Sequence, residues 1–202
     1  MTRLARFSAL VATLALSACS STPVHYHTLV APSETAVPQA STSTVLIDVL
    51  PVGIPAQLDY AQLVVRQDAT RLAVLDTERW AGPLADEVRQ ALSARLVQQL
   101  ATQDVAGLPV PADSSVARIK VQVRRFDAWP GEKVQLAADW SLSMAGGKKD
   151  NRLHCHGAFT LPADGGYNEL VKAQQQSLEM LANRIAADMT QWINNDAASC
   201  SE

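Results

Sequence analysis

The chain has 202 residues, 48% of them apolar and 18% charged, which is enough for one domain with a core of its own. Aromatics make up only 5%, so that core must rest on Leu, Val, Ile and Ala. The formal net charge of −3 excludes the basic surface that nucleic acid requires, and no Lys/Arg cluster is present to hold an anionic membrane by charge alone.

Met1 to Ala18 read as an export signal. Arg3 and Arg6 supply the positive end, and Phe7 to Leu16 the short apolar run, far below the ~20 residues of a spanning helix. Leu16-Ser17-Ala18-Cys19 resembles the bacterial lipobox, in which the cysteine thiol takes a diacylglycerol and the residue becomes the new N-terminus. Without residues 1–18 the body carries 15 basic and 20 acidic side chains, a net charge of −5. Lipid on Cys19 is the only anchor and the only covalent group expected; no cofactor is implied. The residue after Cys19 is Ser20 and not Asp, which by resemblance to enterobacterial lipoproteins implies the outer membrane. Cys155 and Cys200 then remain as an even pair in an oxidising compartment. Bridging them would close a 45-residue loop, worth about 4 kcal/mol on the chain-entropy model. The alternative is two free thiols.

From residue 19 to 44 the Ser, Thr, Pro and Ala content reads as a tether, within which His25-Tyr26-His27-Thr28-Leu29 could add an edge strand. The globular domain is expected over 45–202. Val45 to Val52 reads as a buried strand, broken by Gly53, Pro55 and Asp59. Leu63–Arg66 and Arg71–Leu75 read as a hairpin around Asp68-Ala69-Thr70. Leu84, Val88, Leu92, Leu96 and Leu100 form a helical stripe that starts at Pro83, with Gly107 and Pro109 barring continuation. Three alternating strands follow, through Ile119-Val121-Val123, Val134–Leu142 and Leu153–Leu161, with a polar turn over 146–151. A last helix runs from about Asn168 to Asn194. These elements predict an α+β two-layer sandwich: a mixed, largely antiparallel sheet with two long amphipathic helices on one face.

Ile54 to Arg66 (IPAQLDYAQLVVR) and Glu78 to Leu84 (ERWAGPL), with Tyr26-His27-Thr28-Leu29 soon after the lipobox, resemble the signature stretches of the PqiC (YmbA) family. These are auxiliary lipoproteins of ABC-type, MCE-linked transport systems. The resemblance implies a role in lipid traffic or envelope integrity. It also implies an MCE-domain periplasmic partner with an inner-membrane permease, and self-association of the chain.

Chemistry finds little support. His154 and His156 share one strand face and Cys155 points to the other, so the three cannot converge on a metal. His25 and His27 show no nearby acidic partner in sequence, and no nucleophile elbow, P-loop or metalloprotease helix is present. The chain reads as a non-enzyme. For a partner-facing surface the residues are Pro55, Leu58 and Tyr60 in the loop, Trp129 at a turn, and Trp80, for which a core position is the stronger reading. The leading expectation is an adaptor that docks a transport assembly. A lipid carrier, which requires an apolar cavity, and a hydrolase using His154 or His156 are the alternatives.

Overall fold

A computed structural model of the chain describes residues 22–32, 43, 45–110, 113–146, 152–194 and 199–201; the leader and Cys19 lie outside them. The strands are β1 (His25–His27), β2 (Val45–Val49), β3 (Gln62–Arg66), β4 (Leu72–Trp80), β5 (Ser115–Trp129), β6 (Lys133–Met144) and β7 (Arg152–Pro162). The helices are α1 (Leu84–Leu100) and α2 (Tyr167–Asn194).

The alternating segments form the larger sheet, in the order β2-β5-β6-β7, with β2 parallel to β5 and the rest antiparallel. Ile119, Val121 and Val123 point inward from β5, and a bulge between Val123 and Arg125 then shifts the parity so that Phe126 and Ala128 return to the core. Without that extra residue Phe126 would face solvent. Val134, Leu136, Ala138, Trp140 and Leu142 of β6 are buried beneath α2, which packs on β6 and β7, while α1 packs on α2. Along α2 the apolar stripe runs through Leu170, Leu178, Leu181, Ile185, Met189 and Trp192. On α1 it runs through Leu84, Val88, Leu92 and Leu96.

The α+β sandwich is as expected, but it contains two sheets rather than one. The second is a three-stranded sheet in the order β1-β4-β3. The division falls at Gly53. Its N–H donates to Val121 O at 3.2 Å and its carbonyl accepts from Val123 N at 2.8 Å, so the chain follows β5 this far. A Cβ on Gly53 would lie 2.1 Å from Gln122 Oε1, so a larger residue here requires the Gln122 side chain to swing aside. Ile54 and Pro55 then leave the large sheet, and a 3-10 turn over Ala56–Leu58 redirects the chain into β3.

Helix α1 ends at Leu100, the last residue of its stripe. Ala101 takes the left-handed conformation (φ 46°), Thr102 N–H closes onto Val97 O at 3.2 Å, and Thr102 Oγ1 donates to Val45 O at 2.6 Å. The chain is thereby laid along β2, where Ile47 N–H donates to Gln103 O and Val105 N–H to Ile47 O. This covers an otherwise open strand edge.

Candidate functional site

The three stretches that carry the family resemblance, separated by up to fifty residues in sequence, meet in the small sheet. β1 runs parallel to β4 with His25 opposite Glu78, Tyr26 opposite Arg79 and His27 opposite Trp80. β3 lies antiparallel on the other side, with Gln62 opposite Arg79 and Arg66 opposite Leu72. Two bonds close the far end: Trp80 N–H donates to Ala61 O at 2.9 Å, and Ala81 N–H to His27 O at 2.8 Å.

The edge strand expected within the tether forms as β1, at the edge of the small sheet. His25 Nδ1 lies 2.8 Å from Glu78 Oε1 and His27 Nε2 lies 2.6 Å from Glu78 Oε2. Both histidines therefore have the acidic partner that sequence separation concealed. Burial pushes the Glu78 carboxyl up, but the hydrogen bonds and positive charge of His25 and His27 outweigh it and hold the group below the usual glutamate range. Next in the chain, Thr28 Oγ1 and the Leu29 N–H both donate to Glu87 Oε2, at 2.7 and 2.8 Å. Gln175 Nε2 donates to Thr28 O, and Leu29 is sealed in the core. A leucine buried this completely contributes roughly 2 kcal/mol, so residues 25–29 are held by packing as well as by polar bonds.

The proposed surface residues divide. Tyr60 is 48% exposed, beside a half-buried Pro55. Leu58 is buried, because the 3-10 turn, with Leu58 N–H donating to Pro55 O at 2.9 Å, folds its side chain inward. Trp80 is buried as well; it ends β4 inside the sheet and is a core residue at the entry to α1. Trp129 is half-buried, with Arg66 5.9 Å and Lys133 Nζ 5.0 Å from its ring, and the Arg66 guanidinium is held by Asp127 at 3.0 Å. These cations cover the indole, leaving little of it for a partner.

Cys155 and Cys200 are bridged, with Cα atoms 5.6 Å apart. The bridge pins the C-terminal tail beside Asp188, a fully buried carboxylate that sequence reading passed over. Its Oδ2 accepts from Trp140 Nε1 at 2.9 Å, and its Oδ1 accepts from Ser201 N–H and Oγ, each at 2.6 Å. The available signal was a charged residue next to the apolar stripe of α2, three positions after Ile185. His154 and His156 are exposed on the opposite face of β7, and among the described residues no three His, Cys, Asp or Glu side chains are placed to hold a metal. At the seam of α1 and α2 a pocket lined by Leu29, Ala91 and Leu178 encloses about 20 Å³, room for a water and not for an acyl chain.

Residues 27–186, from β1 into α2, match the family model of the ABC-type transport auxiliary lipoprotein component. The chain belongs to that family. It is 27% identical over 164 residues to the intermembrane transport lipoprotein PqiC of Escherichia coli (strain K12), an alignment that covers 80% of this chain and 85% of that protein. The PqiC of Shigella flexneri matches equally. In fold, the chain is similar to an uncharacterized protein of known crystal structure, with a TM-score of 0.64 and 22% identity over 83% of this chain and 99% of that one. A protein from Xanthomonas campestris gives a TM-score of 0.63 at 15% identity, over 86% and 98%. Membership makes the chain an auxiliary, non-catalytic lipoprotein component of a transport system. No helix among the described residues is long and apolar enough to cross a membrane.

Proposed function

We propose that the chain is an outer-membrane lipoprotein, lipidated at Cys19, that docks a periplasmic MCE-type assembly of a lipid transport system to the membrane. The inner-membrane permease is the far end of the same system, and the lipoprotein self-associates. The observation that carries this reading is the convergence of residues 25–29, 54–66 and 78–84 on one small sheet, with Tyr60 exposed at its end. The family match runs over residues 27–186, and the three stretches that resemble the family's signatures build one element, which supports that element as the shared working part. A lipid carrier is disfavoured by the filled core and by a helix seam that admits only a water.

The test compares the full-length protein with its Cys19→Ala variant in cells. The parent should fractionate with the outer membrane and crosslink to an MCE protein and to further copies of itself; the variant should be found in the soluble periplasm. Recovery of bound lipid with no protein partner would overturn the adaptor reading in favour of the carrier.

A further inference from the structure

We propose that the outer face of the large sheet is where a second copy of this chain docks, receiving the acidic turn that carries Glu132, Asp164 and Glu169. This deepens the reading that the lipoprotein self-associates, and rests on it.

The first argument is charge. Helix α2 packs on one face of the large sheet, and the alternating strands β5 to β7 turn their other face to solvent. Cations that form no cluster in sequence meet there: Arg118, Lys120, Arg124 and Arg125 from β5, and Arg152 from β7, all exposed. Arg124 and Arg125 share the face despite being neighbours, because the bulge lies between Val123 and Arg125; Arg124 reaches Asp139 at 2.6 Å and Arg125 reaches Gln135 at 3.4 Å. Against these five stand Asp48 and Asp139, so the face carries +3 with His154 and His156 neutral. Asp127 and Arg66 at its margin cancel each other, 3.0 Å apart. The whole body from residue 19 carries −5, which leaves −8 for everything outside this face. The ion pairs here are Arg118–Asp48, Arg124–Asp139 and Arg125–Asp127; among the described residues Lys120 and Arg152 pair with no carboxylate. Such a concentration of one sign repels itself, and an acidic surface laid on it relieves the repulsion.

The second argument is shape. The strand register sets Arg118, Ser143 and Arg152 in one row across the sheet and Lys120, Ser141 and His154 in the next. Short side chains on β6 thus lie between long ones on β5 and β7, which makes a trough with basic walls.

The third is the occupant. Ala163 N–H donates to Glu132 O at 3.0 Å, and Gly166 N–H donates to Glu169 Oε2 at 3.2 Å. These bonds draw the β5–β6 turn and the start of α2 into one knuckle, on which Glu132, Asp164 and Glu169 are all exposed. From Ser141 to Lys133 β6 runs about 26 Å, well beyond a Debye length of about 10 Å, so the knuckle and trough of one chain do not neutralise each other. Trough against trough would set cations on cations. The contact is therefore head to tail, and successive copies close into a ring or continue as a filament. An anionic bilayer fits less well, because the chain from Cys19 joins the domain on the helix side, where Thr28 bonds to Glu87 and Gln175. The trough opens on the opposite side of the sheet.

The test follows the mass of full-length lipidated protein in detergent by size-exclusion chromatography with light scattering. The apparent Kd of the wild-type assembly should rise roughly tenfold or more between about 50 and about 500 mM salt. A trough variant (Arg118→Glu/Lys120→Glu/Arg152→Glu) and a knuckle variant (Asp164→Lys/Glu169→Lys) should each be monomeric. Mixed together they should assemble again, since each reversed surface then meets its complement, and misfolded variants would not do this. A wild-type assembly that salt and both variants leave intact would overturn this proposal alone, as would a mixture of folded variants that stays monomeric. A wild type monomeric at every concentration and salt would remove the self-association reading and this proposal together. If the Cys19→Ala protein bound phosphatidylglycerol vesicles through the trough without assembling, the face would belong to lipid and the proposal would be wrong.

Discussion

His27 Nε2 stands 2.6 Å from Glu78 Oε2, across the parallel pairing of β1 and β4, with both side chains buried. The second carboxylate oxygen takes His25, so one glutamate holds both ends of a three-residue strand. Because the folded-state Glu78 carboxyl lies below the ordinary value, its contribution to stability is present in full above the unfolded carboxylate range, about pH 4.3. It is lost as pH falls through the folded value. The urea midpoint of the wild type should therefore drop on acidification below that range, and Glu78→Gln should show a smaller drop. Glu78→Ala, which strips a buried partner from His27, should cost about 1–3 kcal/mol at pH 7. Equal acid sensitivity in the wild type and Glu78→Gln would contradict the role given to this carboxylate.

The Cys155–Cys200 bridge joins residues 45 apart, and Ser201 beyond it satisfies buried Asp188. Urea unfolding of Cys155→Ser/Cys200→Ser should show a loss of up to about 4 kcal/mol, the loop-closure entropy of a ring this size. Asp188→Ala should be destabilising by about 1–3 kcal/mol, because Trp140 Nε1 and the Ser201 donors lose their acceptor in the core. If the double variant unfolds at the wild-type midpoint, the tail is not a structural part of the domain.

Leu58 and Tyr60 sit two residues apart and should behave oppositely. Leu58→Ala opens a cavity in the core and should cost about 2–4 kcal/mol. Tyr60→Ala should stay within about 0.5 kcal/mol of wild type and lower the yield of partner crosslinking in cells. A stability loss at Tyr60 as large as that at Leu58 would move Tyr60 from the surface account to the core.

The parts of the fold that depend on local periodicity were legible from sequence. The alternation in β5, β6 and β7 and the four-residue stripes of α1 and α2 are written into neighbouring residues. What escaped was non-local. The pairing of His25 with Glu78 joins residues 53 apart in a parallel register, and nothing in the composition of a Ser/Thr/Pro-rich stretch marks Leu29 as core. The split into two sheets turns on one backbone approach at Gly53, which sequence shows only as a strand breaker. In the candidate site, Tyr60 was recognisable as a loop aromatic. Leu58 was not separable from it, because only the 3-10 turn decides which of the two points inward.

In the proposed arrangement, the Tyr60 end of the small sheet receives a transport partner while Cys19 holds the domain to the membrane. The most direct measurement is a photo-crosslinking amino acid at position 60 of the full-length, lipidated protein in cells, with the captured species identified by mass spectrometry. The account predicts an MCE-domain protein joined at that position, and loss of the product in the Cys19→Ala background. Capture of lipid alone at position 60, or of no MCE-domain protein by a folded and lipidated chain, would contradict it.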